Sequence, residues 1–143
     1  MNKSTILGDE LIDHLSRVQD CIGEPERPVT VEGLRGSASA YFLSRLHQLE
    51  KGRPILIVTT DQNRGELLLE DLKYFFHYTN LKTKPLFFPS WELLPYESLS
   101  PLSEISGERL EILNRLRRKD NLFLIAPVEA LMQTVIPSIS LEK

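Results

Sequence analysis

With 17 Lys and Arg against 20 Asp and Glu, the 143-residue chain carries a formal net charge of −3. Apolar residues make up 41%, enough to offset the chain entropy of one folded core, which excludes a disordered segment. The mildly acidic balance argues against a dedicated nucleic-acid coat, whose signature is a strong basic excess. The longest apolar run, Leu122 to Ala126, is far short of a membrane span. Asp9 and Glu10 follow directly on Ile6 and Leu7, so no signal-peptide core is expected. Cys21 is the single cysteine, which rules out an internal disulfide and a cysteine-based zinc cage. His14, His47 and His77 fall in separate predicted helices with no ligand spacing. A cytoplasmic domain without metal and without a membrane partner is expected.

Leu7, Leu11, Leu15 and Val18 recur at helical spacing and predict an amphipathic helix over residues 8–20, broken by Gly23, Pro25 and Pro28. A short, weaker strand is predicted at Val29–Val31. Residues 37–50 read as a helix with Phe42, Leu46 and Leu49 on one face. The run 54–60 is β-branched and unbroken by charge, and predicts a buried strand. Asp61 is a suitable N-cap for a helix over 62–77, with Leu68, Leu72, Phe75 and Phe76 facing inward. Two further strands are predicted at 84–89 and 121–126, separated by a helix that opens at Ser103 or Ser106 and runs to about Arg117. Ile105, Ile112, Leu113 and Leu116 form its apolar stripe. A last short helix is expected near 128–134. Near-continuous apolar strands alternating with helices predict an α/β fold: an open, mostly parallel sheet of about four strands with helices on both faces. The chain stops at Ser-Ile-Ser-Leu-Glu-Lys with no closing element, which suggests a segment of a longer protein.

The window Gly33-Leu34-Arg35-Gly36-Ser37-Ala38-Ser39-Ala40 opens a helix after the short strand, where a phosphate-binding loop would lie. Set against G-x-x-x-x-G-K-[ST], Gly33 matches the first glycine. Ala38 replaces the second glycine, Ser39 the lysine and Ala40 the hydroxyl that ligates Mg²⁺. Without the lysine nothing neutralises the β- and γ-phosphates, and without the hydroxyl the metal loses a protein ligand. Ala38 adds a Cβ where phosphate needs close backbone approach. A tight strand-to-helix turn, with a vestigial rather than a working phosphate loop, is expected.

These residues carry a family resemblance. The Gly33–Ala40 window resembles the degenerate phosphate loop in the N-terminal module of the bacterial transcription-repair coupling factors. More specific is Phe88-Pro89-Ser90-Trp91-Glu92-Leu93-Leu94-Pro95-Tyr96-Glu97-Ser98, followed by Ser100-Pro101 and a helix through Arg109 and Leu110. The likeness continues through Ala126-Pro127-Val128-Glu129-Ala130-Leu131-Met132-Gln133, and so covers most of the chain from about Pro28. The resemblance implies a module similar to the first domain of the repair protein UvrB, a degenerate P-loop NTPase-like fold with its ATP site decayed. It implies an N-terminal helix and linker over 1–27 and a partial UvrB-like domain over 28–143, ending before the UvrA-binding insertion of the family. Whole family members are ATP-dependent DNA translocases that displace stalled RNA polymerase and recruit UvrA. Their ATP and Mg²⁺ sites lie in downstream motor domains. For this segment the resemblance implies no catalytic residue and no cofactor. The partners implied are other domains of the parent and, through it, RNA polymerase, UvrA and duplex DNA. UvrB-type proteins insert a long β-hairpin after the corresponding third strand. The dozen or so residues from Ser90 to Leu102 are too few for one.

Four other groups are candidates for function. Trp91 and Tyr96 could form a partner-binding aromatic pair; the favoured reading is that they fold back to close the core, on a path stiffened by Pro89, Pro95 and Pro101. Arg115, Arg117, Arg118 and Lys119 are the only basic cluster, and at a helix C-terminus they complement the dipole rather than mark a phosphate-contacting patch. Glu92 and Glu97 have no neighbouring nucleophile, metal or apolar pocket to make an acid–base pair, and the acidic surroundings of Cys21 disfavour a reactive thiolate. A nucleotide-binding fragment and a DNA-binding module remain as alternatives. The first requires Mg-ATP affinity, the second salt-sensitive duplex binding.

Overall fold

A computed structural model of the chain describes residues 13, 15–18, 20–21, 28–50, 53–91, 103–118, 120–135 and 137. The described residues between 13 and 21 are helical and are called α1. They are followed by α2 (Ala38–Leu49), β1 (Ile55–Thr59), α3 (Gln62–Tyr78), β2 (Pro85–Phe87), α4 (Ser103–Arg117), β3 (Phe123–Pro127) and α5 (Val128–Met132). No helix among the described residues is long and apolar enough to cross a membrane.

The three strands form one parallel sheet in the order β1-β3-β2. Ile55 pairs with Phe123, and Thr59 with Pro127; Pro85 also pairs with Phe123, and Phe87 with Ile125. β3 is thus central, and every one of its residues is buried. Its alternation explains the layers. Phe123 and Ile125 point to one side, into a core with Ala40 of α2 and Leu72 and Phe76 of α3. Leu124 and Ala126 point to the other, against Phe88, Ile112 of α4 and Ala130 of α5. Helices therefore cover both faces, as the uncharged strands predict. A third cluster ties α1 to α2 through Leu15, Phe42 and Leu46.

The expectation of about four strands needs correction, because the described sheet has three. Val29–Val31 is irregular backbone, and Val29 and Val31 remain 41% and 40% exposed. A three-residue stretch that buries so little apolar surface gains too little to offset its ordering. Burial is also uneven across β1. Ile55 and Ile57 pack on the α2–α3 side, whereas Leu56 and Val58 on the other face are each 54% exposed.

Helix α3 begins as Asp61 predicts: its Oδ1 accepts from the Arg64 backbone N–H at 2.8 Å. Near that end Gly65 is buried against the sheet, where a Cβ would sit 2.6 Å from Cε2 of Phe87 and 3.0 Å from Oγ1 of Thr59. The lack of a side chain lets the first turns of α3 lie close over β1 and β2.

Candidate functional site

In an open parallel sheet, ligands bind beyond the carboxyl ends of the strands, an edge that here runs from β1 across β3 to β2. Over β1 lies the Gly33–Ala40 window. Gly33 has φ +82° and Gly36 φ +56°. The Ala38 N–H closes a turn onto the Arg35 carbonyl at 3.1 Å, and Ser37 precedes α2 without a side-chain cap. Gly36, Ser37 and Ala38 are exposed, Ser39 is half-buried, and Ala40 is fully buried. The predicted strand-to-helix turn is therefore a loop-to-helix turn, since no strand precedes it among the described residues.

Gly36, Ser37 and Ser39 border an open cavity of about 590 Å³ that is completed by Leu43 of α2, the end of β1 and the first half of α3. Its charged lining is Arg64, Glu70 and Asp71, so two carboxylates stand against one guanidinium. Such a wall does not favour a polyphosphate. Ala40, at the position of the metal-binding hydroxyl, is packed in the core with Leu72, Phe76, Phe123 and Ile125. Asp61 at the rim is committed to its helix cap. The Arg64 N–H, with the Thr60 hydroxyl at 2.8 Å, holds its carboxyl below the usual range. No group of three or more His, Cys, Asp or Glu among the described residues could hold a metal.

Over β2 the edge is closed. The chain leaves the strand through Phe88, Pro89 and Ser90, all buried, and reaches Trp91, which is half-buried. The Ser90 hydroxyl donates to Oε1 of Gln62 at 2.7 Å. Arg109 of α4, only 2% exposed, lies with its guanidinium carbon 4.2 Å from the centre of the Phe88 ring and 4.5 Å from that of Trp91. Its Nη1 donates to the Pro89 carbonyl and, at 3.3 Å, to Oε1 of Gln133. The same Oε1 accepts the Trp91 N–H at 2.7 Å, and Nε2 of Gln133 donates to the Trp91 carbonyl at 3.4 Å. Nη2 of Arg109 has no hydrogen-bond partner among the described residues, and burial lowers the pKa of the group.

Among the other sequence candidates, Tyr96, Glu92, Glu97 and Lys119 lie outside the described residues. Arg115 pairs with Asp120 at 3.5 Å, and Arg118 is exposed at the end of α4. Cys21 is exposed. Sequence reasoning missed the association of Arg109 with Gln133 and the burial of His47. The His47 ring stacks on Phe76 at 5.5 Å and meets Phe123 edge-on at 5.2 Å. A signal for Arg109 was present: it stands four residues after Ile105 and three before Ile112, on the apolar stripe of its helix.

Fold and edge together define a class: a small α/β unit with a three-stranded parallel sheet and a glycine turn leading into α2. Comparison with known proteins gives the family. The chain is 32% identical to a transcription-repair-coupling factor of Myxococcus xanthus over 112 residues, 76% of this chain and 9% of that protein. It is 32% identical over 104 residues to the transcription-repair-coupling factor of Escherichia coli K12 and 29% identical over 105 to that of Bacillus subtilis 168, each match covering 73% of this chain and 8% of the relative. The chain is homologous to a segment of the transcription-repair-coupling factors, and spans less than a tenth of the length of these relatives. No family model matches it, and no solved structure matches it significantly.

Proposed function

We propose that this segment is a non-catalytic structural and interaction module of a transcription-repair-coupling factor, part of a UvrB-like domain whose ATP site has decayed. The observation that carries the reading is Ala40. The residue at the metal-ligand position is a methyl group sealed in the core between α2, α3 and β3. The acidic cavity wall and the serine at the lysine position support it. In this reading the segment binds no cofactor, and ATP and Mg²⁺ belong to downstream motors of a DNA translocase that displaces stalled RNA polymerase. The module helps to carry the UvrA-binding part and packs against other domains of its parent, restraining the motor. Its setting is the cytoplasm. Trp91 and Tyr96 belong to a loop that closes the domain rather than to a catalytic apparatus.

Calorimetric titration of the chain with Mg-ATP, beside a Ser39→Lys variant, tests the proposal. No heat of binding up to millimolar nucleotide is expected from the parent sequence. Saturable binding by the unmodified chain would overturn the decayed site and make the segment a nucleotide-responsive element.

A further inference from the structure

Among the described residues, most side-chain hydrogen bonds that link distant parts of the sequence involve Arg109 or Gln133. Arg109 joins Phe88, Pro89 and Trp91 after β2 to Gln133 after α5. A buried guanidinium is ordinarily matched by a carboxylate, because desolvating the charge costs several kcal/mol. Among the described residues its partners are two aromatic faces and two neutral oxygens. An apolar side chain of similar volume would fill the space without that cost. The guanidinium adds a rigid planar fork that stacks on rings with its faces while donating hydrogen bonds in its plane.

The geometry around Gln133 shows what the fork controls. Oε1 of Gln133 accepts from both Nη1 of Arg109 and the Trp91 N–H, while Nε2 donates to the Trp91 carbonyl. Rotating the amide by half a turn would set an NH₂ group against two donors. Arg109 and the Trp91 N–H together select one amide orientation, and that orientation pairs with both backbone groups of Trp91.

We propose that Arg109 is a positioning residue that works as a latch: by orienting Gln133 it couples the chain leaving β2 to the chain leaving α5, so that Trp91 and Gln133 are held or released together. Phe88–Trp91 after β2 and Gln133 after α5 share this anchor, and opening at one frees the other without unfolding the sheet.

The test uses the full chain. Trp91 is its single tryptophan, so emission and acrylamide quenching report one site. Amide exchange by NMR reports the Trp91 N–H. Gln133→Ala should raise Trp91 amide exchange about tenfold or more and increase quenching, with amides at Leu72 and Ile125 unchanged, since a hydrogen bond in such a network sets local opening. Arg109→Lys, which keeps the charge but loses the fork, should do the same at Trp91 and also free the Gln133 side-chain amide. Gln133→Glu retains the acceptor and should preserve most of the Trp91 N–H protection. Unchanged Trp91 exchange and quenching in Gln133→Ala would overturn the latch. So would acceleration spread equally over Leu72 and Ile125, which is loss of global stability, or full release of Trp91 in Gln133→Glu.

Discussion

The two ends of the sheet's carboxyl edge are built in opposite ways from similar lengths of chain. Over β1, Gly36, Ser37 and Ala38 stand exposed beside an open cavity, stabilised mainly by one turn hydrogen bond and by the helix that follows. Over β2, the chain from Phe88 to Trp91 is enclosed by two ring contacts and four hydrogen bonds that converge on Arg109 and Gln133. The open end has the shape of a ligand site without the charges one would need. The closed end has a buried charge enclosed between two rings and neutral acceptors. The difference teaches that backbone shape and functional chemistry separate readily. Gly33 and Gly36 preserve a turn, whereas a phosphate site also needs a lysine and a hydroxyl, and neither is there.

The contrast can be broken most severely at the closed end. Arg109→Ala leaves a cavity between Phe88 and Trp91, removes the donor to the Pro89 carbonyl and one of the two donors to Gln133, and should cost about 3 kcal/mol in urea unfolding. At the open end the corresponding attempt to restore function is Ala40→Ser. If the methyl is a core group, the hydroxyl is desolvated without gaining a metal, and stability should fall by about 2 kcal/mol with no new Mg-ATP affinity. Gly36→Ala meets no atom within 4 Å, so only its left-handed backbone resists, and a loss of about 1 kcal/mol is expected from thermal unfolding.

The smallest and most gradual effect is expected from acid. Burial holds the His47 imidazole below its ordinary value of 6.5, so the folded chain keeps it neutral while the unfolded chain protonates. Its contribution is fully present above about pH 6.5 and declines as pH falls from there towards the lower folded value. Stability measured against pH should slope upward across that window, and His47→Phe should flatten the slope. Asp61 acts in a separate, more acidic range, because its folded carboxyl titrates below the usual 3.8 and its contribution is lost only as pH falls through that lower value.

Much of the fold was legible before the structure. The uncharged runs at 54–60 and 121–126 appear as β1 and β3, and the Asp61 cap starts α3 one residue later. The second strand shrinks from 84–89 to three residues, although the Phe88 N–H still reaches the Ile125 carbonyl at 2.8 Å. Val29–Val31 misled because β-branched residues suit a strand only where a neighbouring strand and a buried face receive them. The turn at the open end was legible from Gly33 and Gly36, which both take the positive φ that glycine favours. The closed end was not. Arg109 and Gln133 are 24 residues apart, and their association depends on how α4 and α5 pack around the end of β3. Leu116 shows the converse error: assigned to an apolar stripe by spacing, it lies 42% exposed because α4 covers β2 and β3 more than β1.

One titration addresses both ends of the edge together. Amide resonances of Gly33, Gly36 and Ser37 over β1, and of Trp91 over β2, would be followed by NMR while Mg-ATP is raised to millimolar levels. A decayed phosphate site predicts that none of the four shifts saturably. A saturable shift of the Gly36 and Ser37 amides, with Trp91 unmoved, would contradict it and restore a working nucleotide site to the open end.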